Sequence, residues 1–524
     1  SEKDKTLFYF NVAGAFETFN AFVLEQWTKN PSGNHTALIT RMYNNRIALK
    51  SLLLKESGKM KEAVAFSRDS TVISNYQQWL ALREEIIRQY RMSEEERAEK
   101  KLNLPQLELN ANQLEQKITI ALGLAKNSNT GLSDWTSIRS VLLPGEYAVE
   151  IIRTEEYTDG KWTDKIRYAA LILDHQSMAP RLVLLKPGNE LETKAINYYR
   201  LNLKGRREDL QSYTAFWGPL KEYLPAATKV YFSADGVYQQ INLYTLLNPL
   251  TRKYLIDELA VSMLTNTKDL LEPVTENKTH RAAIFSFPDF GGLPVTTDSL
   301  PLRTGFPVLD ELPGTREETD SVKSILMAEH WTVEERIRKA ATEEAIKKIK
   351  RPQVLHIATH GFFLKDVKDT MGTVYGIQAD IARQHPLLRS GVILAGAAAV
   401  ARNPNDFTDQ DDGILTAYEA AGLDLTGTAL VVLSACETGL GELLNGQGVY
   451  GLQRAFMQAG AASVIMSLWK VNDESTKELM IGFYREWLLH PEGSKQEALR
   501  KAQLRLREQY AHPFFWGPFV LVGK

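Results

Sequence analysis

The spacing of apolar positions changes near residue 127, from a helical period to a strand-like one, and that change divides the chain. Before it, Tyr76, Trp79, Leu80, Ile86, Ile87 and Tyr90 recur at helical spacing, as do Leu107, Ala111, Leu114, Ile118 and Leu122. Ser93 with Glu96 makes a capping box that starts a charged helix, and Pro105 opens the next one. Two or three helical hairpins are predicted, with Leu52-Leu53-Leu54 as a buried run. No fixed period is visible among them, so a full solenoid is not demonstrated.

After Asn127, Tyr147–Ile152, Tyr168–Leu173 and Arg181–Leu185 read as strands parted by turns at Asp159-Gly160 and Pro187-Gly188. A helical stretch, Gln211–Leu224, leads into Lys229–Ser233 and the turn Asp235-Gly236. Strands alternating with helices predict a largely parallel sheet. A second α/β unit begins at Arg281–Phe287, followed by a proline- and glycine-rich loop from Pro288 to Gly314. Thr315 and Glu318 read as the capping box of the next helix, and Thr342 as the cap of another. Apolar strands then lead to His360, cover Gly391–Ala395, lead to Cys436, and run from Ala462 to Trp469 before Lys470–Asp473. A last strand is predicted over Phe519–Val522.

Bulk properties narrow the function classes. A chain of 524 residues has room for about three domains of roughly 150 residues each. With 44% hydrophobic and 24% charged residues it reads as a globular protein. A formal net charge of −2 supplies no global field for nucleic acid or an anionic membrane. The single cysteine excludes an internal disulfide framework and suits a reducing, cytoplasmic setting. No apolar run reaches the roughly 18 residues of a membrane span. No signal peptide is visible, although the chain opens at Ser1 rather than Met.

Two strand ends carry the candidate chemistry. Val354–Ala358 hands over to Thr359-His360-Gly361, and Leu430–Leu433 to Ser434-Ala435-Cys436. In open α/β sheets, sites gather where strands give way to loops at their carboxyl ends. By residue type alone Cys436 is a small buried hydrophobe and His360 a structural hydrogen-bonder. Their placement turns the pair into a nucleophile and its base, which reads as a cysteine peptidase. Gly439 and Gly441 open the loop after the cysteine, and the backbone N–H groups of Gly361 and Cys436 are candidates for an oxyanion hole.

Other motifs fall to duller readings. His356 and His360 share the spacing of a zinc-binding helix motif, but the segment is a strand without the glutamate, so no metal is expected. His356 is read as a packing or supporting residue. Gly446-Gln447-Gly448-Val449-Tyr450-Gly451 matches the dinucleotide fingerprint without its strand or acidic partner, so no cofactor is expected, and a helix from Leu452 to Ala459 is. Asp406, Asp409, Asp411 and Asp412 lack calcium-loop spacing and read as a solvated loop. Asp473, after its strand, is a candidate for facing a substrate side chain.

These residues resemble the CHAT family of caspase-like cysteine peptidases, relatives of caspases, metacaspases and separase often fused to tetratricopeptide repeats. His356–Gly361 is similar to its histidine motif and Ser434–Gly439 to its cysteine motif. Pro386–Gly391, Asp412–Ala417, Gly451–Phe456, Ser467-Leu468-Trp469 with Asp473, and Phe514–Phe519 add to the likeness. It extends upstream through Phe232–Gly236 to the helices around Tyr76 and Trp79.

The resemblance implies an α/β fold, a caspase-like αβα sandwich, with a helical region over 1–130 as the end of a repeat array. It implies a cysteine-free pseudo-domain over 131–275 and a catalytic domain over 276–524. By it His360 is the general base, Cys436 the nucleophile, and the substrate a protein or peptide, with a role in bacterial defence. A protein activator or inhibitor is expected to act through the helical region, with the loops Phe362–Gln384 and Asn403–Asp412 as switch elements. Asp412, Ser434 and Asp473 are the substrate-pocket candidates. Ser434 stands where related enzymes carry an acid, which weakens any carry-over of basic specificity, with Asp412 and Asp473 left to supply a negative pocket. The alternative is a catalytically silent caspase-like scaffold.

Overall fold

The computed structural model of the chain describes residues 2–50, 58, 60–61, 63–123, 134–158, 160–273, 278–291, 309–365, 373–374, 377–398, 412–436, 438–444, 448–491 and 493–524. The run Leu52-Leu53-Leu54, Asp159, Asp406, Asp409, Asp411 and Gly446-Gln447 lie outside the described residues.

The N-terminal part is helical: α1 (Glu2–Lys29), α2 (Thr36–Leu49), α3 (Ser70–Tyr90), α4 (Glu94–Glu99) and α5 (Leu104–Ala121). Local sequence sets their starts. Asp69 accepts the N–H groups of Thr71 and Val72 ahead of α3, Ser93 and Glu96 form the predicted capping box of α4, and Pro105 sits in the first turn of α5. A short α6 (Trp135–Val141) leads to the sheet.

Strands β1 (Glu146–Thr158), β2 (Lys161–Asp174) and β3 (Arg181–Leu184) form an antiparallel meander. The turns read between them fit this order, because a two-residue link cannot make the crossover, about a dozen residues long, that parallel strands need. The helix α7 (Ile196–Gly205) and a π-helical turn (Tyr213–Trp217) then carry the chain to β4 (Lys229–Ser233) and β5 (Ala260–Leu264), and β4 pairs parallel with both β1 and β5.

The second unit runs β6 (Arg281–Pro288), α8 (Pro313–Ala328), β7 (Thr332–Arg338), α9 (Glu343–Lys347), β8 (Val354–Ala358) and β9 (His360–Phe363). The two-residue strands β10 (Thr373–Val374) and β11 (Ile377–Gln378) precede α10 (Ala379–Gln384), β12 (Ser390–Ile393), β13 (Ile414–Thr416), α11 (Ala417–Ala420) and β14 (Leu430–Ser434). A small hairpin, β15 (Glu442–Leu444) with β16 (Gly448–Tyr450), leads to α12 (Leu452–Gln458) and β17 (Ser463–Ser467). The chain closes with α13 (Asp473–Leu489), α14 (Lys495–Gln509) and β18 (Phe519–Gly523).

Both units share one 11-stranded sheet, ordered β3-β2-β1-β4-β5-β18-β17-β14-β8-β6-β7. Its central strands are apolar on both faces, as a covered parallel sheet requires. Phe285, Leu355, Ile357, Val431, Leu433 and Met466 pack toward α11 and α12. Their neighbours Ile284, Val354, Leu430, Val432 and Ile465 pack toward α8, α13 and α14. The result is a three-layer αβα sandwich. The helical region is divided between the two units: Val23, Leu24, Met42 and Tyr43 of α1 and α2 cover the first, whereas Trp79, Ile86, Tyr90 and Ile118 of α3 and α5 meet Ile377, Ile381 and Leu388. No helix among the described residues is long and apolar enough to cross a membrane.

Candidate active site

Strands β8 and β14 are parallel neighbours with Ala358 level with Ser434, so both end at the same sheet edge. Beyond that point the Thr359 N–H reaches the Ser434 carbonyl at 3.3 Å, and the Thr359 hydroxyl donates to the Ile393 carbonyl. These contacts turn the chain out of the main sheet into β9, where His360 lies opposite Ile393 of β12. A Cβ on Gly361 would lie 2.7 Å from the Cys436 carbonyl oxygen and 2.8 Å from Thr438 Cγ2, so only glycine fits there. The backbone after the histidine therefore lies against the backbone of the cysteine, with both residues partly exposed.

The imidazole of His360 has a defined partner: Nε2 lies 2.9 Å from the carbonyl oxygen of Asp310. A carbonyl only accepts, so Nε2 carries the hydrogen and the neutral ring keeps its lone pair on Nδ1. Phe290 sits beside the ring, 5.3 Å between centroids. In β9 the Leu364 N–H donates to the Arg389 carbonyl at 2.8 Å. By the alternation of an antiparallel ladder, the N–H of Gly361 then points away from β12.

The cysteine loop is held from the end of β17. The Ser467 hydroxyl donates to the Ala435 carbonyl at 2.5 Å, and the Ser467 N–H donates to Thr438 Oγ1 at 3.2 Å. The Gly439 N–H returns to the Ser467 carbonyl at 2.8 Å.

Directly below the two strand ends is a buried polar group. Ser434 Oγ donates to Glu318 Oε2 at 2.9 Å. The other oxygen, Oε1, stands 3.0 Å from His356 Nε2, in a contact too poorly aligned to be a hydrogen bond. His356 Nδ1 lies 3.1 Å from the Tyr484 hydroxyl. His356 is thus the supporting residue expected. Burial, and secondarily the charge of Glu318, hold the Tyr484 ionisation well above its ordinary value, so its hydroxyl keeps its hydrogen.

The structure buries two of the three substrate-pocket candidates. Ser434 faces the interior and is engaged with Glu318, because its position in β14 points toward α8. Asp412 is buried against the helical region, 2.7 Å from Arg91, and accepts the Ile414 N–H at 2.9 Å. Asp473 stays exposed at the start of α13, beside Gly314. The capping box read at Thr315 and Glu318 is corrected: α8 opens three residues earlier, at Pro313 with Leu312 at the cap, and the Thr315 hydroxyl donates back to the Leu312 carbonyl.

Sequence reasoning missed Asp310, Glu318 and Tyr484. A signal for Glu318 existed, since Thr315, Glu318, Thr319, Val322 and Leu326 form one buried helical stripe. A carboxylate on such a stripe needs a partner across the interface.

The CHAT domain family matches residues 211–524, more than half of the chain. The chain belongs to the CHAT domain family. It is 27% identical over 222 residues to mouse tetratricopeptide repeat protein 28, covering 40% of this chain and 8% of that protein. The human counterpart is 32% identical over 112 residues, covering 21% of this chain and 4% of that protein. The chain thus spans less than a tenth of the length of either relative. Among solved structures, the Arg-specific cysteine proteinase gingipain R aligns with 64% of this chain and 74% of its own, at TM-score 0.34 and 10% identity. A separase–securin complex of Saccharomyces cerevisiae aligns with 96% of this chain and 37% of its own, at TM-score 0.39 and 9% identity.

Proposed function

We propose that this CHAT protein is a caspase-like cysteine endopeptidase. Cys436 attacks a peptide carbonyl, and Nδ1 of His360 takes the thiol proton and later gives it to the leaving amine. The N–H groups of Gly361 and Cys436 hold the oxyanion, and water then hydrolyses the acyl-enzyme. The observation that carries this reading is the approach of Gly361 to the Cys436 backbone at one sheet edge. Support comes from the Asp310 carbonyl, which selects the tautomer a base at Nδ1 needs. Asp473 remains the candidate for meeting a substrate side chain.

Gating through the helical region belongs to the same proposal. Arg91 reaches Asp412 and Glu419, the guanidinium of Arg83 stacks on Tyr418, and Lys61 caps the carbonyls of Ala421 and Leu423. All of these contacts fall on β13, α11 and the residues flanking them. The test is a proteome digested by wild type and by Cys436→Ala, with the new N-termini sequenced. Termini produced only by wild type are expected. Identical digests would overturn the peptidase and leave an interaction scaffold.

A further inference from the structure

The buried polar group beneath the strand ends has no part in the chemistry above, and its arrangement is specific. The face of the sheet toward α8 carries the apolar Ile284, Val354, Val432 and Ile465. Onto this face α8 projects Glu318 and Thr319, both essentially without exposure. Thr319 Oγ1 donates to Ser286 of β6 at 2.6 Å, while Glu318 meets His356 of β8 and Ser434 of β14. The register sets Ser286 and Ser434 level on either side of Ala358. Two consecutive residues of one helix thus tie three neighbouring strands at their carboxyl ends, four residues before His360 and two before Cys436.

The hydrogens follow from the geometry. His356 Nε2 stands 3.0 Å from a carboxylate oxygen and therefore carries a hydrogen, and in the neutral ring Nδ1 then accepts from the Tyr484 hydroxyl. Ser434 gives its hydroxyl hydrogen to the other carboxylate oxygen. The segment leading into α8 also supplies the Asp310 carbonyl that holds His360. One short stretch, 310–319, therefore touches the imidazole directly and both supporting strands from below.

We propose that Glu318 is a positioning residue: its carboxylate, shared between Ser434 and His356, fixes the spacing of the strands that end in Cys436 and His360. The inference rests on the Cys436–His360 reading and deepens it. A buried carboxylate that only filled space would be replaceable by its amide. Here the amide of Glu318→Gln must turn its NH2 group either toward the Ser434 hydroxyl hydrogen or toward the hydrogen on His356 Nε2, 3.0 Å from the carboxylate.

Because Cys436 is the sole cysteine, alkylation of the full-length protein by iodoacetamide reports on that thiol alone, whatever the natural substrate. Its rate is measured against pH for wild type, His360→Ala, Glu318→Gln and Ser434→Ala, beside kcat and KM on a peptide cut by wild type. Wild type is expected to react at lower pH than His360→Ala, whose inflection falls near the roughly 8.5 of an unassisted thiol. Glu318→Gln is expected to move toward the His360→Ala profile and lose about 100-fold in kcat, the scale of a misplacement of about 1 Å, with KM within twofold. Ser434→Ala, which removes one small hydroxyl, keeps the question answerable should Glu318→Gln fail to fold, and is expected to shift the same way by a lesser amount. If wild type and His360→Ala react alike, the dyad falls and this inference with it. If they differ, but folded Glu318→Gln, or Ser434→Ala in its place, keeps the wild-type profile and kcat, the positioning role alone is overturned.

Discussion

Gly361 shows how one hydrogen atom in place of a side chain lets two strand ends close on each other. Its φ is not in the left-handed region, so the demand for glycine is one of contact rather than backbone conformation. A methyl group there would press on a carbonyl oxygen and on Thr438, which is itself held by Ser467. Neither neighbour is the mobile end of a flexible side chain, so the strand ends must separate. Gly361→Ala is expected to lower kcat about 100-fold and to cost about 1–3 kcal/mol of stability as overpacking. Steady-state kinetics on a wild-type substrate peptide and urea denaturation measure the two effects. A variant with kcat within twofold of wild type would show that the two backbones part freely.

At the scale of elements, the contact between the helical region and the second unit is electrostatic at its centre. Arg91 after α3 and Lys347 of α9 face three carboxyl groups, those of Glu343, Asp412 and Glu419. Burial, with Glu419 and Asp412 nearby, drives Glu343 well above its ordinary 4.5, and burial raises Asp412 as well. Glu419 is held down at about 2: burial opposes its charge, and Lys347 and Arg91 outweigh burial. For Glu343, the unfolded chain loses its proton near 4.5 while the native chain keeps it, so native protein binds more protons and stability falls as pH rises. Glu343→Gln removes that penalty. Its unfolding free energy, measured by urea denaturation, is expected to gain on wild type as pH rises above 4.5, by up to about 1.4 kcal/mol per pH unit. A constant difference between pH 4.5 and 7 would mean that Glu343 is ionised in the folded protein. Much of the local structure here was legible in the sequence, because caps act within one turn: Ser93 with Glu96, Pro105 and Thr342 all stand where their spacing put them. So did the two strand ends, since an apolar run followed by His-Gly or Cys is a local signal. Partners were not legible. Asp412 looked like a loop acid because Arg91 lies far away in sequence, and Glu318 looked like a cap because its three-residue spacing from Thr315 imitates one.

For the whole molecule, the question is whether the two units fold as one. They meet through β5 and β18, which share a single register pair, Met263 with Val522. The seam is reinforced on both sides of that pair. Met263 and Trp469 each pack against the apolar clusters of both units. Asn242 Nδ2 donates to the Gly517 carbonyl at 2.7 Å and reaches that of Phe519 at 3.4 Å. Arg507 pairs with Asp257 at 2.6 Å, and the C-terminal Lys524 caps the carbonyls of Leu270 and Glu272. A seam of buried hydrogen bonds and shared core couples the stabilities of the parts it joins, because neither unit can leave without exposing the other's sheet edge. Hydrogen exchange is therefore expected to show β4 and β14 losing protection at the same denaturant concentration. Asn242→Ala takes this donor from the buried Gly517 carbonyl, while that of Phe519 keeps Gln503 Nε2 at 2.9 Å, and is expected to cost about 1–3 kcal/mol. It should lower the midpoint of both strands together. A variant that released β4 while β14 stayed protected would show two independent domains that happen to share a sheet.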